Sequence, residues 1–170
     1  MREITQQDLL NQFEYFENGI LLWKPKISNG RVINYKYSAT PAGTCLDKDG
    51  YGKVTLTIDG KKISCRLHRL IFMYHHGYMP EAVDHIDRNI FNNRIENLRA
   101  ANKNQNQWNR GDKVKSKSGV RGVVMKGGRW YAQCKVFGKR HHLGIYKSIE
   151  EAAIAVNEFR KQHHGEFANG

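Results

Sequence analysis

The first part of the chain is built from short apolar runs broken by turn residues. Residues 5–14 carry a short helical pattern that begins near Thr5 or Gln6. FENGILLWK then sets Asn18-Gly19 between apolar runs, which predicts a hairpin because tight two-residue turns need positive φ. Residues 26–43 are polar and read as irregular. YGKVTLTI and KKISCRLH alternate apolar and polar positions around Asp59-Gly60, a second hairpin signal. From Leu67 to Tyr78 the period changes, with Leu70, Ile71 and Tyr74 at helical spacing. Gly77 can end that helix, and Pro80 fits just beyond it.

AVDHI is short and β-prone, DRNIFNNR is rich in turn formers, IENLRAA resumes the ordered element and NKNQNQWNR suits a helix. GDKVKSKS holds one apolar residue, Val114, and reads as a linker over 111–117. Three strands follow, GVRGVVM, RWYAQCKVF and KRHHLGIY, divided by Gly127-Gly128 and Gly138. A last helix is expected over Ser148–His164. Ser148 and Glu151 have capping-box spacing, and Ile149, Ala152, Val156 and Phe159 form one apolar stripe. No internal repeat or low-complexity segment interrupts this order.

The 170 residues suit one ordinary domain or two small ones. No apolar run reaches the ~18 residues of a membrane span, and MREITQQDLL lacks the apolar stretch of a signal peptide. A cytoplasmic protein without a membrane partner is therefore expected. Cys45, Cys65 and Cys134 are scattered and form no Cys-x-x-Cys pair, so reduced structural thiols are expected and a structural zinc is not. Net charge is +12 and unevenly spread. Residues 111–147 hold 10 Lys and Arg against one acid, whereas residues 148–170 hold 2 against 4. Such a block suits a phosphate-contacting face and makes a nucleic acid the leading partner.

The candidate chemistry lies between Val83 and Trp108. Hydrolysis of a phosphodiester needs a base for water, neutralisation of the phosphate and stabilisation of the leaving oxygen. His85 is a base near neutral pH. Asp84 offers a charged oxygen ligand and Asn106 a neutral one, a donor set suited to Mg²⁺ with positions left for water and phosphate. Asn97 either hydrogen-bonds the histidine ring or ties down the loop between strands. The same residue types also serve as ordinary turn and cap chemistry.

VDHIDRNIFNNRIENLRAANKNQNQWN resembles the HNH motif of phage-type homing endonucleases, a ββα-metal finger. The likeness rests on the Asp-His pair, the Asn-Asn in the loop, Glu-Asn-Leu and the later Asn. It implies His85 as general base, Asp84 and Asn106 as metal ligands, and Asn97 as the residue that positions His85. Asn106 stands where the commonest form has His, which favours Mg²⁺ or Mn²⁺ over softer metals. RLHRLIFMYHHG resembles the segment preceding that motif. It adds His68 and Arg69, with Arg69 toward a phosphate and His68 either functional or packed at a strand–helix junction. The family further implies products with a 5′-phosphate and a 3′-hydroxyl.

GVRGV, Arg129-Trp130, KRHHLGIY and SIEEAAIAVNEF together resemble the DNA-binding domain of plant ethylene-response factors, the Apetala-two type. By position Arg121, Arg129, Trp130 and Arg140 match DNA-contacting residues there. Val124-Met125-Lys126 replaces further arginines of the plant pattern, so its sequence preference does not transfer. Trp130 and Tyr131 are neighbours on one strand, so one packs inward while the other can face DNA.

The expected architecture is α+β. An HNH nuclease domain at 1–110 has its motif at 83–108, and a linker at 111–117 leads to a targeting domain at 118–170, a three-stranded antiparallel sheet on one helix. The expected function is a site-directed, homing-type DNA endonuclease acting on double-stranded DNA, in the bacterial host cytoplasm if phage-encoded. A DNA-binding regulator with an inactive nuclease domain is the alternative. RNA binding would explain the charge but not the metal constellation. No heptads or large apolar stripe favour a dimer, so a monomer is expected.

Overall fold

The computed structural model describes residues 3–32, 39–109 and 118–168. The chain is mixed helix and strand and divides into two compact units, 1–102 and 103–170. The linker expected at 111–117 lies outside the described residues.

In the first unit, α1 (Gln6–Gln12) starts at a capping box: Thr5 Oγ1 accepts from the Asp8 N–H, and the Asp8 carboxylate accepts from the Thr5 N–H. Strands β1 (Phe13–Phe16) and β2 (Ile20–Trp23) form the hairpin predicted at Asn18-Gly19. The stretch expected to be irregular contains a small hairpin, β3 (Ile27–Ser28) with β4 (Arg31–Val32). A short strand β5 (Cys45–Leu46) then pairs with β6 (Gly52–Ile58), which pairs with β7 (Lys61–Arg66). Backbone pairing needs no apolar pattern, which is why these short strands leave so little trace in the sequence.

Helix α2 (Leu67–His76) follows β7 directly and ends at Gly77, whose φ of 76° is the left-handed stop expected there. Its buried face, Leu67, Leu70, Ile71 and Met73, packs with Leu9, Phe13, Leu21, Val54 and Leu56 into the main core. Strands β8 (Ala82–His85) and β9 (Leu98–Ala101) lie antiparallel, with Asp84 opposite Arg99 and His85 opposite Leu98. A single 3-10 turn, Ile95–Asn97, leads into β9. Val83 and Leu98 point into the same core, so β8 is anchored beside α2 and its last two residues are held rigidly.

In the second unit, β10 (Val123–Lys126), β11 (Arg129–Val136) and β12 (Lys139–Tyr146) form a three-stranded antiparallel sheet in that order. Helix α4 (Ile149–His164) packs against it, burying Ala152 and Val156 on Val123 and Ala132. Ser148 Oγ accepts from the Glu151 N–H, one half of the predicted capping box. Helix α3 (Lys103–Asn109) falls in this unit by its contacts. The physical reason is Trp108. Its ring stacks on His164 at 4.2 Å and meets Phe137 edge-on at 5.3 Å.

Candidate active site

Asp84 and His85 end β8 side by side, each 5% exposed. His85 Nε2 lies 3.1 Å from Asn93 Oδ1. An amide oxygen only accepts, so in this contact Nε2 is the donor. Burial pushes the His85 pKa down, while Asn93, Asp87 and Asp84 oppose that shift. Asp84 Oδ2 accepts from Arg99 Nε at 2.9 Å, across the strand pair. Arg99 Nη2 is also 2.9 Å from that oxygen, near enough for charge attraction but not aligned as a second hydrogen bond.

The loop between β8 and β9 is tied by amides around one carboxylate. Asn97 Nδ2 donates to Asp87 Oδ1 (2.9 Å) and to the Asn92 carbonyl (2.8 Å), while Asn97 Oδ1 accepts from the Asp87 N–H (3.0 Å). Asn92 Nδ2 donates to Asp87 Oδ2 at 2.7 Å, and the Asn89 N–H donates to Asp87 Oδ1 at 2.8 Å. Burial alone would raise the Asp87 carboxyl, yet these hydrogen bonds outweigh it and hold the group low. Asn97 is thus the tie of the loop. Contact with the His85 ring, which the family likeness gives to Asn97, is made by Asn93.

Two further supports leave no local signal in the sequence. Gly19, in the β1–β2 turn, has φ of 85°, and a Cβ there would stand 2.6 Å from the Asn93 carbonyl carbon. The Tyr15 hydroxyl accepts from the Ile95 N–H at 3.0 Å. The first hairpin therefore buttresses the loop that carries Asn93. The other support is a run of tilted rings. His68, 5% exposed in the first turn of α2, lies 4.9 Å from the His85 ring and 5.0 Å from Tyr51. The Arg66 guanidinium covers Tyr51 at 4.2 Å and bonds Asp47 at 2.7 Å. Burial, then the neighbouring His85, Arg66 and Arg69 charges, pushes His68 down to about 3, so it stays neutral. Both readings of His68 meet here: it packs at the strand–helix junction, and it packs on His85.

Arg69, expected near a phosphate, donates instead to the carbonyls of Pro80 (3.0 Å) and Glu81 (3.1 Å), fixing the segment that leads into β8. Asn106 lies on α3, within the second unit. Its pairing with Asp84 therefore stands on the motif spacing alone. Among the described residues no group of three or more His, Cys, Asp and Glu side chains could hold a metal ion. Asp84 and Asn106 are hard oxygen donors, which fit Mg²⁺ or Mn²⁺ better than a thiol-loving metal.

In the second unit, strand alternation sorts the candidate DNA contacts. Trp130 is partly buried and packs with Val123, Ala132, Ala152 and Val156 on the helix side, so Tyr131 takes the outer face. Cross-strand partners share a face, which sets Lys126 beside Arg129 and Lys135 beside Arg140 on the outer side. Arg121 is exposed just before β10. Like charges directly opposite destabilise a sheet by roughly 0.2–1 kcal/mol per pair.

Residues 65–108 match the HNH endonuclease family. They run from the end of β7 to Trp108 and include Asp84, His85, Asn93, Asn97 and Asn106, so this segment is similar to an HNH endonuclease domain. Protein 3.8 of Escherichia phage T7 is 29% identical over 107 residues, covering 61% of this chain and 88% of that protein. A solved chain of the HNH homing endonuclease I-HmuI, described in the context of DNA binding and cleavage, is 26% identical with a TM-score of 0.43. That likeness covers 58% of this chain, which spans about half (51%) of the I-HmuI chain. The match to the HNH family supports a nuclease. Among the described residues, no helix is long and apolar enough to cross a membrane.

Proposed function

We propose that this protein is a site-directed DNA endonuclease of the homing type. The observation that carries the reading is the His85 ring, held at Nε2 by Asn93 beside Asp84, inside the segment that matches the HNH endonuclease family. His85 is the group that takes a proton from the attacking water. Asp84 and Asn106 would hold one Mg²⁺ or Mn²⁺, which supplies charge neutralisation at the phosphate and at the leaving 3′ oxygen. Asn97 acts one step removed, by fixing the loop that presents Asn93.

The outer face of the β10–β12 sheet is the proposed targeting surface, with Arg129, Arg140, Lys126 and Lys135 projecting together and Arg121 beside them. A β surface of this size suits the DNA major groove. Two like-charged pairs set across neighbouring strands are explained by a polyanion that relieves them. The protein would act as a monomer with one active site, which favours nicking.

One observation supports the second reading, a DNA-binding regulator with an inactive nuclease domain. Arg99 already neutralises Asp84, the proposed metal ligand. The two readings part in one experiment, in which supercoiled plasmid carrying target DNA is incubated with protein and Mg²⁺. The nuclease reading requires nicked or linear product, lost in His85→Ala while binding persists. Intact plasmid at every protein concentration that saturates binding would establish the regulator.

A further inference from the structure

The second unit holds a pocket of about 220 Å³ whose charge is of one sign. Arg121, Lys135, Arg140, Arg160 and His164 line it together with Trp108, and no Asp or Glu does. Two of these groups are buried in an unusual way. His164 is 7% exposed, and neither ring nitrogen has a hydrogen-bond partner among the described residues. Arg160 is also 7% exposed, and its guanidinium has one described bond, Nη2 to the Arg121 carbonyl at 2.9 Å. Buried polar groups are nearly always paired, and a buried cation without an anion is costly.

The stack of Trp108 on His164, with ring planes 5° apart, holds the imidazole edge-on to its surroundings. Burial and the Arg160 and Arg121 charges push His164 down to about 4, so at neutral pH the ring is uncharged and offers one N–H donor. A guanidinium with open donors, a neutral imidazole N–H and two flexible cations around one small cavity make the complement of a tetrahedral oxyanion.

We propose that this pocket is a phosphate-binding site, in which the Arg160 guanidinium and the His164 ring hold one phosphate group and Arg140, Lys135 and Arg121 neutralise it. The phosphate is either a backbone phosphate of bound DNA or a free phosphate group. The pocket goes beyond the proposed sheet contacts, because its two central residues come from α4 and not from a strand.

The test uses the full-length protein labelled with ¹⁵N-histidine. Inorganic phosphate is titrated against sodium chloride at constant ionic strength, and the His164 ring signals, identified by their loss in His164→Phe, are followed. Saturable shifts with phosphate and none with chloride are expected. His164→Phe keeps an aromatic ring against Trp108 without ring nitrogens, and about tenfold weaker phosphate binding is expected, read as a smaller phosphate-dependent rise in Tm. Lys135→Ala, at an exposed position, should weaken phosphate binding without disturbing the fold.

A second arm uses duplex DNA with single uncharged methylphosphonate linkages. If one linkage weakens the wild type and leaves His164→Phe unaffected, the phosphate comes from the DNA backbone. If DNA affinity is equal in both proteins while the phosphate response is lost in the variant, the occupant is a free phosphate group. If the His164 signals respond to neither phosphate nor DNA beyond the chloride control, the proposal is overturned. The phosphate arm reads the pocket even if the outer sheet face fails to bind DNA.

Discussion

Two buried histidines show what it means for a side chain to be finished by its own protein. His85, at the end of β8, has its Nε2 taken by Asn93, its face covered by His68, and the following loop stitched by Asn97, Asn92 and Asp87. His164, at the end of α4, is stacked on Trp108, yet its nitrogens meet no hydrogen-bond partner among the described residues. Burial lowers the pKa of both. The difference lies in hydrogen bonding. A ring with one nitrogen fixed has a defined tautomer and so a defined chemical direction, as a proton acceptor must. A ring with both nitrogens unpartnered among the described residues has no such direction set by them.

The sharpest way to break this contrast is at His85. His85→Ala is expected to lower the cleavage rate by at least about 10²–10⁴-fold, the range for losing a positioned base, with DNA affinity little changed. Gel-based plasmid cleavage beside a binding titration reads both quantities. Asn93→Ala frees the ring while leaving it in place. A fall in kcat of about 10–100-fold with little change in KM is expected, larger than for Asn97→Ala, which acts through the loop. Equal losses for the two variants would mean that Asn93 has no special hold on His85.

His164 yields the opposite test, through pH. Its folded pKa is about 4 and its unfolded value about 6.5, so the unfolded chain takes up the proton first. The stability due to its neutral form is complete above about pH 6.5 and is lost as pH falls toward 4, by at most about 3 kcal/mol. Thermal melts from pH 7 to pH 4 should show this loss in the wild type and a flatter profile in His164→Phe. Gly19→Ala is expected to cost about 1–3 kcal/mol, from positive φ and from the close approach to Asn93, and to lower cleavage as well. Chemical denaturation and a cleavage assay on the same preparation separate the two effects. The smallest change is expected at the sheet: Arg129→Ala should flatten the log–log salt dependence of DNA binding by about one phosphate contact.

Much of the scaffold was legible in the sequence because its signals are local. Asn18-Gly19, Asp59-Gly60 and Gly77 mark turns and a helix end through the backbone angles they permit, and Ser148 marks a helix start through its own hydroxyl. Asp84 and His85 were legible because they are adjacent on one strand. What stayed hidden depends on partners far along the chain. Trp108 carries α3 into the second unit because it finds His164 and Phe137, and no short window contains all three. Asn93 and Asn97 have the same chemistry, and only the path of the loop decides which one meets the ring. Trp130 and Tyr131 pose a question of parity, settled by which strand face α4 covers.

Gly19 and Asn93 also bear on how this chain can change over generations. They touch backbone to backbone, with no side chain between them to absorb a difference. A larger residue in the first turn would demand a rerouted second loop, and a longer second loop would demand a different first turn. The two segments are expected to drift together, so an ordinary hairpin remote in sequence from the candidate catalytic residues shares the constraints on them.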